Sequence, residues 1–223
     1  MNRLIDLSHT LEDGLVTYKG LPAPIICDFL SREESAKHYE DGTSFHIGTI
    51  ELCSNTGTYI DSPFHRYADG KDLSELELDK LAGLEGVKVT VPETTSVITE
   101  EVFAGLDVQD KAVLIETNWS RHWNTETYYE GHPFLTEGAA LYLRDAGARL
   151  VGIDSYNIDD VTDGRRPVHT VLLGAEVLIV EHMTNLAQVP DKGFKFYAVP
   201  VKIKAFGTFP VRAFVELSND ESS

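Results

Sequence analysis

Apolar and polar positions along the chain sort into short runs of two kinds. Residues 112–118 (AVLIETN), 150–154 (LVGID) and 176–182 (EVLIVEH) are nearly continuous apolar runs, the pattern of strands buried on both faces. Residues 44–53 alternate instead. Phe45, Ile47, Thr49 and Glu51 face His46, Gly48, Ile50 and Leu52, which predicts one long strand running straight into residues 54–66. Further strands are predicted over 4–7, 25–29, 87–91, 194–203 and 209–217. Helical spacing occurs at 73–84, where apolar residues at 73, 76, 78, 81 and 84 predict a short amphipathic helix. A second helical pattern follows Thr99 through Phe103, with Glu100 and Glu101 in its first turn, where acidic groups suit the helix dipole. A third opens on Thr136 as N-cap, carries Ala139, Ala140, Leu143 and Ala146, and closes at Gly147. Strands outnumber helices about two to one and the helices are interspersed, which predicts an α/β or α+β fold rather than an all-β sandwich.

Composition narrows this picture. A chain of 223 residues with 42% hydrophobic content supports one large domain, taken as 1–217, with the polar, acidic SNDESS (218–223) as a frayed tail. The net charge of −17 argues against nucleic acid or an anionic membrane surface as partner, because both would repel it. MNRLIDLSHT has no apolar stretch behind a basic one, and no apolar run reaches membrane-spanning length, so a cytoplasmic enzyme with a small-molecule substrate is expected. Cys27 and Cys53 are too few for a disulfide framework and are expected to sit as small buried hydrophobes.

The chemistry concentrates in SNTGTYIDSPFHR, residues 54–66. Asp61 and His65 lie four apart across Ser62-Pro63, and proline keeps its predecessor out of helix, so both side chains can leave a bent loop on one side. Together they make a metal ligand and a base, or an acid–base pair. A turn in which Asp61 accepts from nearby backbone N–H groups explains the same residues equally well. Glu181 closes an apolar run and needs a metal, a histidine or an arginine as partner, since an unpaired buried charge is costly. His182, next to it, points to the other face if the strand continues. His169 alone reads first as a helix-surface or capping histidine. His46 reads as a strand residue lining a pocket. The loop 118–136 holds Trp119 and Trp123, several other aromatics and two histidines, enough to wall a pocket for a flat substrate or to form an oligomer contact, with simple core edges as the third and lowest-ranked reading.

Taken in order, IDLSHTL, YKGLPAP, NTGTYIDSPFHR, LVGID, LLGAEVLIVE and FPVRA resemble the cyclase-like family of metal-dependent hydrolases, which includes bacterial kynurenine formamidase and isatin hydrolase. The resemblance runs from Asp6 to Arg212 and implies a swivelling β/β/α domain working as a homodimer or homotetramer. The family signature His-x-Gly-Thr-His-x-Asp-x-Pro-x-His falls on Asn55, Gly57, Thr58, Tyr59, Asp61, Pro63 and His65. By that resemblance Asp61, His169 and Glu181 are metal ligands and His65 the catalytic base. Asn55 and Tyr59 stand where the family has two further histidines, so the resemblance implies a two-metal site reduced to one divalent ion per chain, zinc or manganese. Asn55 remains an additional ligand candidate for a harder ion, and Tyr59 a catalytic hydroxyl donor. The implied activity is hydrolysis of an amide, lactam or lactone, arylformamidase-like. Its alternatives are a small-molecule binder that has lost hydrolysis, and a lyase or dehydratase using His65 with Tyr59. Retention of Asp61, His65, His169 and Glu181 favours the hydrolase.

Overall fold

The computed structural model describes residues 3–217, so the proposed tail 218–223 lies outside the described residues. Thirteen strands form within them: β1 (Arg3–Asp6), β2 (Ile25–Leu30), β3 (Ile47–Glu51), β4 (Tyr59–Asp61), β5 (Ala82–Thr90), β6 (Val97–Ile98), β7 (Ala112–Glu116), β8 (Phe134–Leu135), β9 (Leu150–Ile153), β10 (Leu178–Glu181), β11 (Lys192–Tyr197), β12 (Thr208–Pro210) and β13 (Phe214–Leu217). Three α-helices join them: α1 (Arg32–Ala36), α2 (Glu137–Asp145) and α3 (Pro167–Gly174). Nine strands make one sheet in the order β1-β13-β11-β5-β7-β9-β10-β4-β12. Its centre, β5-β7-β9-β10, is parallel, and antiparallel strands extend it on both sides.

Strand alternation divides the core in two. Leu114, Leu150, Leu178, Val180 and Ile60 point into one cluster with Phe194, Phe196 and Val215. Val113, Ile115, Val151, Ile153 and Ile179 point the other way, against Ala139, Ala140 and Leu143 of α2 and Val168 and Leu172 of α3. Both faces of the central strands are therefore covered, which accounts for their unbroken apolar sequence. The sheet curls until its edges meet. Residues 211–213 carry the chain from β12 at one edge to β13 beside the other, with Val211 N donating to Thr58 O and Leu7 N to Ala213 O, both at 2.9 Å. This is a mixed α/β single domain built on a curled sheet.

Several predicted elements differ. Residues 73–84 are not an amphipathic helix. The Asp72 carboxylate accepts from Ser74 N at 2.8 Å and also from Ala205 N, which fixes a turn. A 3₁₀ turn follows at Leu78–Lys80 and then β5 begins. The expected strand 44–53 is only β3, which pairs with β2 in a separate two-stranded ribbon whose residues are exposed, so it does not run on into β4. The single strand expected over 209–217 is two, at opposite regions of the sheet. The one expected at 194–203 stops at Tyr197. Cys27 is exposed on the ribbon and Cys53 only partly covered, so neither is a buried hydrophobe. The helix expected after Thr136 is α2, with the Thr136 side chain accepting from Ala139 N.

Candidate active site

The Gly-Thr turn preceding β4 is fixed before any chemistry enters. Gly57 has φ +68°, and a Cβ there would meet Leu11 Cδ2 at 2.4 Å, so only glycine fits. Thr58 Oγ1 donates to His182 O at 2.6 Å, tying the turn to the end of β10. β4 then lies between β10 and β12, with Tyr59 opposite Glu181 and Asp61 opposite Thr208. Directly opposed residues share a face. The Tyr59 hydroxyl accordingly donates to Glu181 Oε2 at 2.5 Å, and Thr208 Oγ1 donates to Asp61 Oδ1. Ser62 is extended and Pro63 opens a 3₁₀ turn ending at His65. That turn returns His65 Nδ1 to within 3.9 Å of Asp61 Oδ1 and 2.9 Å of Thr208 Oγ1. The approach needs Gly207, where a Cβ would sit 2.5 Å from His65 N.

His169 arrives on the first turn of α3 and is buried rather than on the helix surface. Arg166, the N-cap, makes no capping bond with its side chain. Asp159, in the loop leading into the helix, does that work, accepting from Val168 N at 2.8 Å, His169 N at 3.1 Å and His169 Nδ1 at 2.6 Å. A carboxylate on one ring nitrogen fixes the tautomer and aims the other. His169 Nε2 thus lies 3.7 Å from Asp61 Oδ2 and 4.0 Å from Glu181 Oε1. Burial pulls the His169 imidazole down, but its hydrogen bond to Asp159 and the nearby carboxylates of Asp61 and Glu181 outweigh this and hold it up at about 10. Burial pushes the Glu181 carboxyl up.

Asp61, Asp159 and Glu181 are all fully shielded from solvent, and this concentration of carboxylates calls for positive charge, from the His169 imidazole or from a bound cation. Asp61 Oδ2 is buried and has no hydrogen-bond partner. Ligand atoms of Asp61, His65 and His169 all lie within 4.8 Å of one another. An orphaned carboxylate oxygen beside two imidazoles fits a divalent ion. The convergent set differs from the expected one in its third member, which is His65 where Glu181 was anticipated. Glu181 still reaches His169, with its oxygens also accepting from Tyr59 and from Ile158 N at 2.5 Å.

A cleft of about 260 Å³ opens over these groups, lined by Tyr18, Leu21, Asn55, Tyr59, His65, Arg66, Asn157, Arg166, His169 and Glu181. Asn55 is on the wall but outside the convergent set, its Oδ1 accepting from Ser54 Oγ at 3.0 Å. Trp119, Trp123 and His46 are not on the wall. Trp123 stacks on His9 with centroids 3.9 Å apart and meets His182 edge-on, while Trp119 Nε1 donates to Tyr128 O at 3.0 Å. The loop 118–136 therefore packs an aromatic layer behind Tyr59. His46 lies just before β3 rather than in a strand, paired to Asp28 of β2 at 2.8 Å. β10 ends at Glu181, and His182 (φ +56°) turns its ring to within 5.1 Å of that of Tyr59, so strand alternation does not carry past the strand end. Sequence reasoning missed Asp159, Thr208, Arg66 and Arg166. For Asp159 a signal existed, the pair Asp159-Asp160 shortly after a buried strand.

Residues 5–160 match the model of the Cyclase family, described as "Putative cyclase". Kynurenine formamidase of Bacillus cytotoxicus is 28% identical over 211 residues, 95% of this chain and 96% of that protein. Kynurenine formamidase of Geobacillus thermodenitrificans is 28% identical over 214 residues, 96% and 97% of the two. Among solved structures, a potential metal-dependent hydrolase with cyclase activity superposes with a TM-score of 0.79 at 26% identity, covering 97% of this chain and 98% of its own. An isatin hydrolase bound to the product analogue thioisatinate shares the fold at TM-score 0.82 and 19% identity, with 97% and 93% covered. With residues 5–160 matched and a carboxylate–histidine cluster assembled on that fold, this chain belongs to the Cyclase family.

Proposed function

We propose that this chain is a metal-dependent hydrolase of arylformamidase type, taking an N-formylated aromatic amine such as N-formylkynurenine to the free amine and formate. The observation that carries this is the orphaned Asp61 Oδ2 beside His169 and His65, in a chain similar over its whole length to kynurenine formamidases. Asp61, His169 and Glu181 would hold one divalent ion, zinc or manganese; Glu181 retains lone pairs after accepting from Tyr59 and Ile158. When bound, such an ion lowers the pKa of water and polarises a carbonyl.

The protein's own groups prepare His65 for proton transfer. Thr208 has one hydroxyl proton and gives it to Asp61, so at 2.9 Å it accepts from His65 Nδ1. A neutral His65 would then carry its proton on Nδ1 and leave a lone pair on Nε2. His65 is on the cleft wall, where that lone pair can take a proton from an attacking water. Tyr59, whose single proton is committed to Glu181, positions that carboxylate rather than donating to substrate. A second reading, with His65 as third ligand, is favoured by the tight convergence of Asp61, His65 and His169.

One set of measurements separates these readings. Metal-loaded protein is expected to hold one ion per chain and to release formate from N-formylkynurenine or formanilide, with activity lost on chelation and restored by metal. His65→Ala is expected to keep its ion and lose about 10²–10⁴ in turnover. Loss of the ion together with activity makes His65 a ligand. No hydrolysis of either formamide by fully loaded protein refutes the assignment.

A further inference from the structure

Two arginines on the cleft wall have no role in the chemistry described above. Arg166 precedes His169 by three residues, Arg66 follows His65 directly, and both line the cleft together with the two histidines of the site. Acidic residues outnumber basic ones 36 to 19, and most described arginines are taken up by them. Arg121, Arg144, Arg149, Arg165 and Arg212 each pair with a carboxylate. Arg66 and Arg166 have no carboxylate within ion-pair distance among the described residues, and Arg3 and Arg32, the others without one, are exposed away from the cleft.

Both side chains are held without being neutralised. Arg166 Nη1 donates to Asn157 Oδ1 at 3.2 Å, and its positive charge acts on the Tyr18 hydroxyl, which shares the cleft wall. Its backbone is left-handed (φ 50°, ψ 60°), a conformation unfavourable for a residue with a Cβ and concentrated at functional positions. Arg66 Nε donates to Thr170 Oγ1 at 3.1 Å, and its guanidinium lies 5.4 Å from the Tyr67 ring centroid, leaving its terminal nitrogens uncommitted. The carboxylate that shares the wall, Glu181, is occupied by Tyr59 and Ile158 N. A planar guanidinium with free donors matches a carboxylate bidentately.

We propose that Arg166, assisted by Arg66, is a specificity determinant that seats a carboxylate carried by the substrate, so that anionic aryl formamides are selected over neutral ones. This deepens, and for its substrate assignment rests on, the hydrolase function above. The seat itself exists whether or not the chemistry follows.

Binding of 2-aminobenzoate and of the neutral, equally sized 2-aminobenzamide to metal-free protein, measured by calorimetry, tests the seat without a metal to attract the anion. The carboxylate is expected to bind at least about tenfold tighter, the scale of one charge-assisted hydrogen bond. Arg166→Gln is expected to bring the ratio to within about twofold, Arg66→Gln to reduce it less, and Arg166→Lys to restore part of it. In turnover, Arg166→Gln should raise KM for N-formyl-2-aminobenzoate about tenfold with kcat little changed, and leave formanilide unaffected. Equal binding of the two ligands by wild-type protein, no binding of the carboxylate, or an unchanged ratio in the Arg66→Gln/Arg166→Gln double variant overturns the proposal. Should Arg166→Gln fail to fold, the wild-type ratio and Arg66→Gln still decide it. A retained carboxylate preference with no formamide hydrolysis would sink the hydrolase function and leave the seat standing.

Discussion

Replacing Tyr59 by phenylalanine removes one oxygen from a fully enclosed site. Tyr59 and Glu181 are both shielded from solvent, and the phenol is held well above its ordinary pKa by burial and by the charges of Glu181 and Asp61, so it acts only as a donor. In Tyr59→Phe the ring still packs against His182, but Glu181 Oε2 loses the hydroxyl that lies 2.5 Å away. An orphaned buried acceptor costs about 1–3 kcal/mol, with the upper end appropriate to a carboxylate. For a domain of this size each kcal/mol lowers Tm by roughly 2–4 °C. Urea unfolding in the presence of chelator is the assay, with equal m-values required for the comparison. If Glu181 binds the ion as proposed, added metal should recover most of the loss by supplying the missing partner, and the variant then shows a larger metal-induced rise in Tm than wild type. A change below about 0.5 kcal/mol in chelator, the scale of an unremarkable substitution, would refute the reasoning and make Tyr59 mere filler.

Thr208→Val removes the hydroxyl between Asp61 and His65, and turnover on an aryl formamide is expected to fall about 10–100-fold, since His65 Nδ1 loses the partner that orients its ring. Gly207→Ala puts a Cβ 2.5 Å from His65 N and 2.6 Å from His65 Cα, backbone atoms that cannot swing aside, so a loss of about 1–3 kcal/mol by thermal unfolding is expected together with reduced turnover. Asp154 is buried, and burial lifts its carboxyl from an ordinary 3.8 to about 6 although Thr117 N donates to it at 2.7 Å. A folded-state pKa raised in this way means that its stability contribution is full below 3.8 and declines as pH rises to about 6. Asp154→Asn should therefore flatten the fall in stability across that window and be the more stable protein at pH 7 by up to about 3 kcal/mol. Identical pH profiles for the two would contradict this.

What was legible in the sequence follows from how local each cause is. The runs at 112–118, 150–154 and 176–182 announce strands because both of their faces are covered, and Thr136 announces α2 because its capping bond reaches only to Ala139. Residues 73–84 mislead because Leu73, Leu81 and Leu84 are apolar for a sheet-side cluster, while Leu78 is exposed and the Asp72 turn sets the path. In the site, Asp61 and His65 sit in one compact motif, and Glu181 is conspicuous as a charge closing an apolar strand. Thr208 meets Asp61 across 147 positions of sequence, and Asp159 caps a helix that starts eight residues later in place of the residue at the cap itself. Such partnerships depend on strand register and loop paths, which have no local signature. The two aromatic residues chosen for the wall, Trp119 and Trp123, are drawn away by His9, Tyr128 and His182, contacts equally invisible along the chain.

The route of residues 208–217 bears on when the protein becomes competent during synthesis. That segment supplies Thr208 to the site and then joins β12 to β13, with 211–213 holding the two edges of the sheet together. A ribosome that has translated Asp61, His65, His169 and Glu181 has still made only an open sheet whose edge strands lack their neighbours. Unpaired edges invite pairing with other chains, and contacts this distant in sequence form slowly. The nascent protein thus passes through a vulnerable interval that ends only after about residue 217 has cleared the exit tunnel. Translational pausing or premature termination shortly upstream of residue 208 would yield aggregation-prone, inactive chains rather than partly active ones, and holdase chaperones would be expected to engage this protein late in its synthesis.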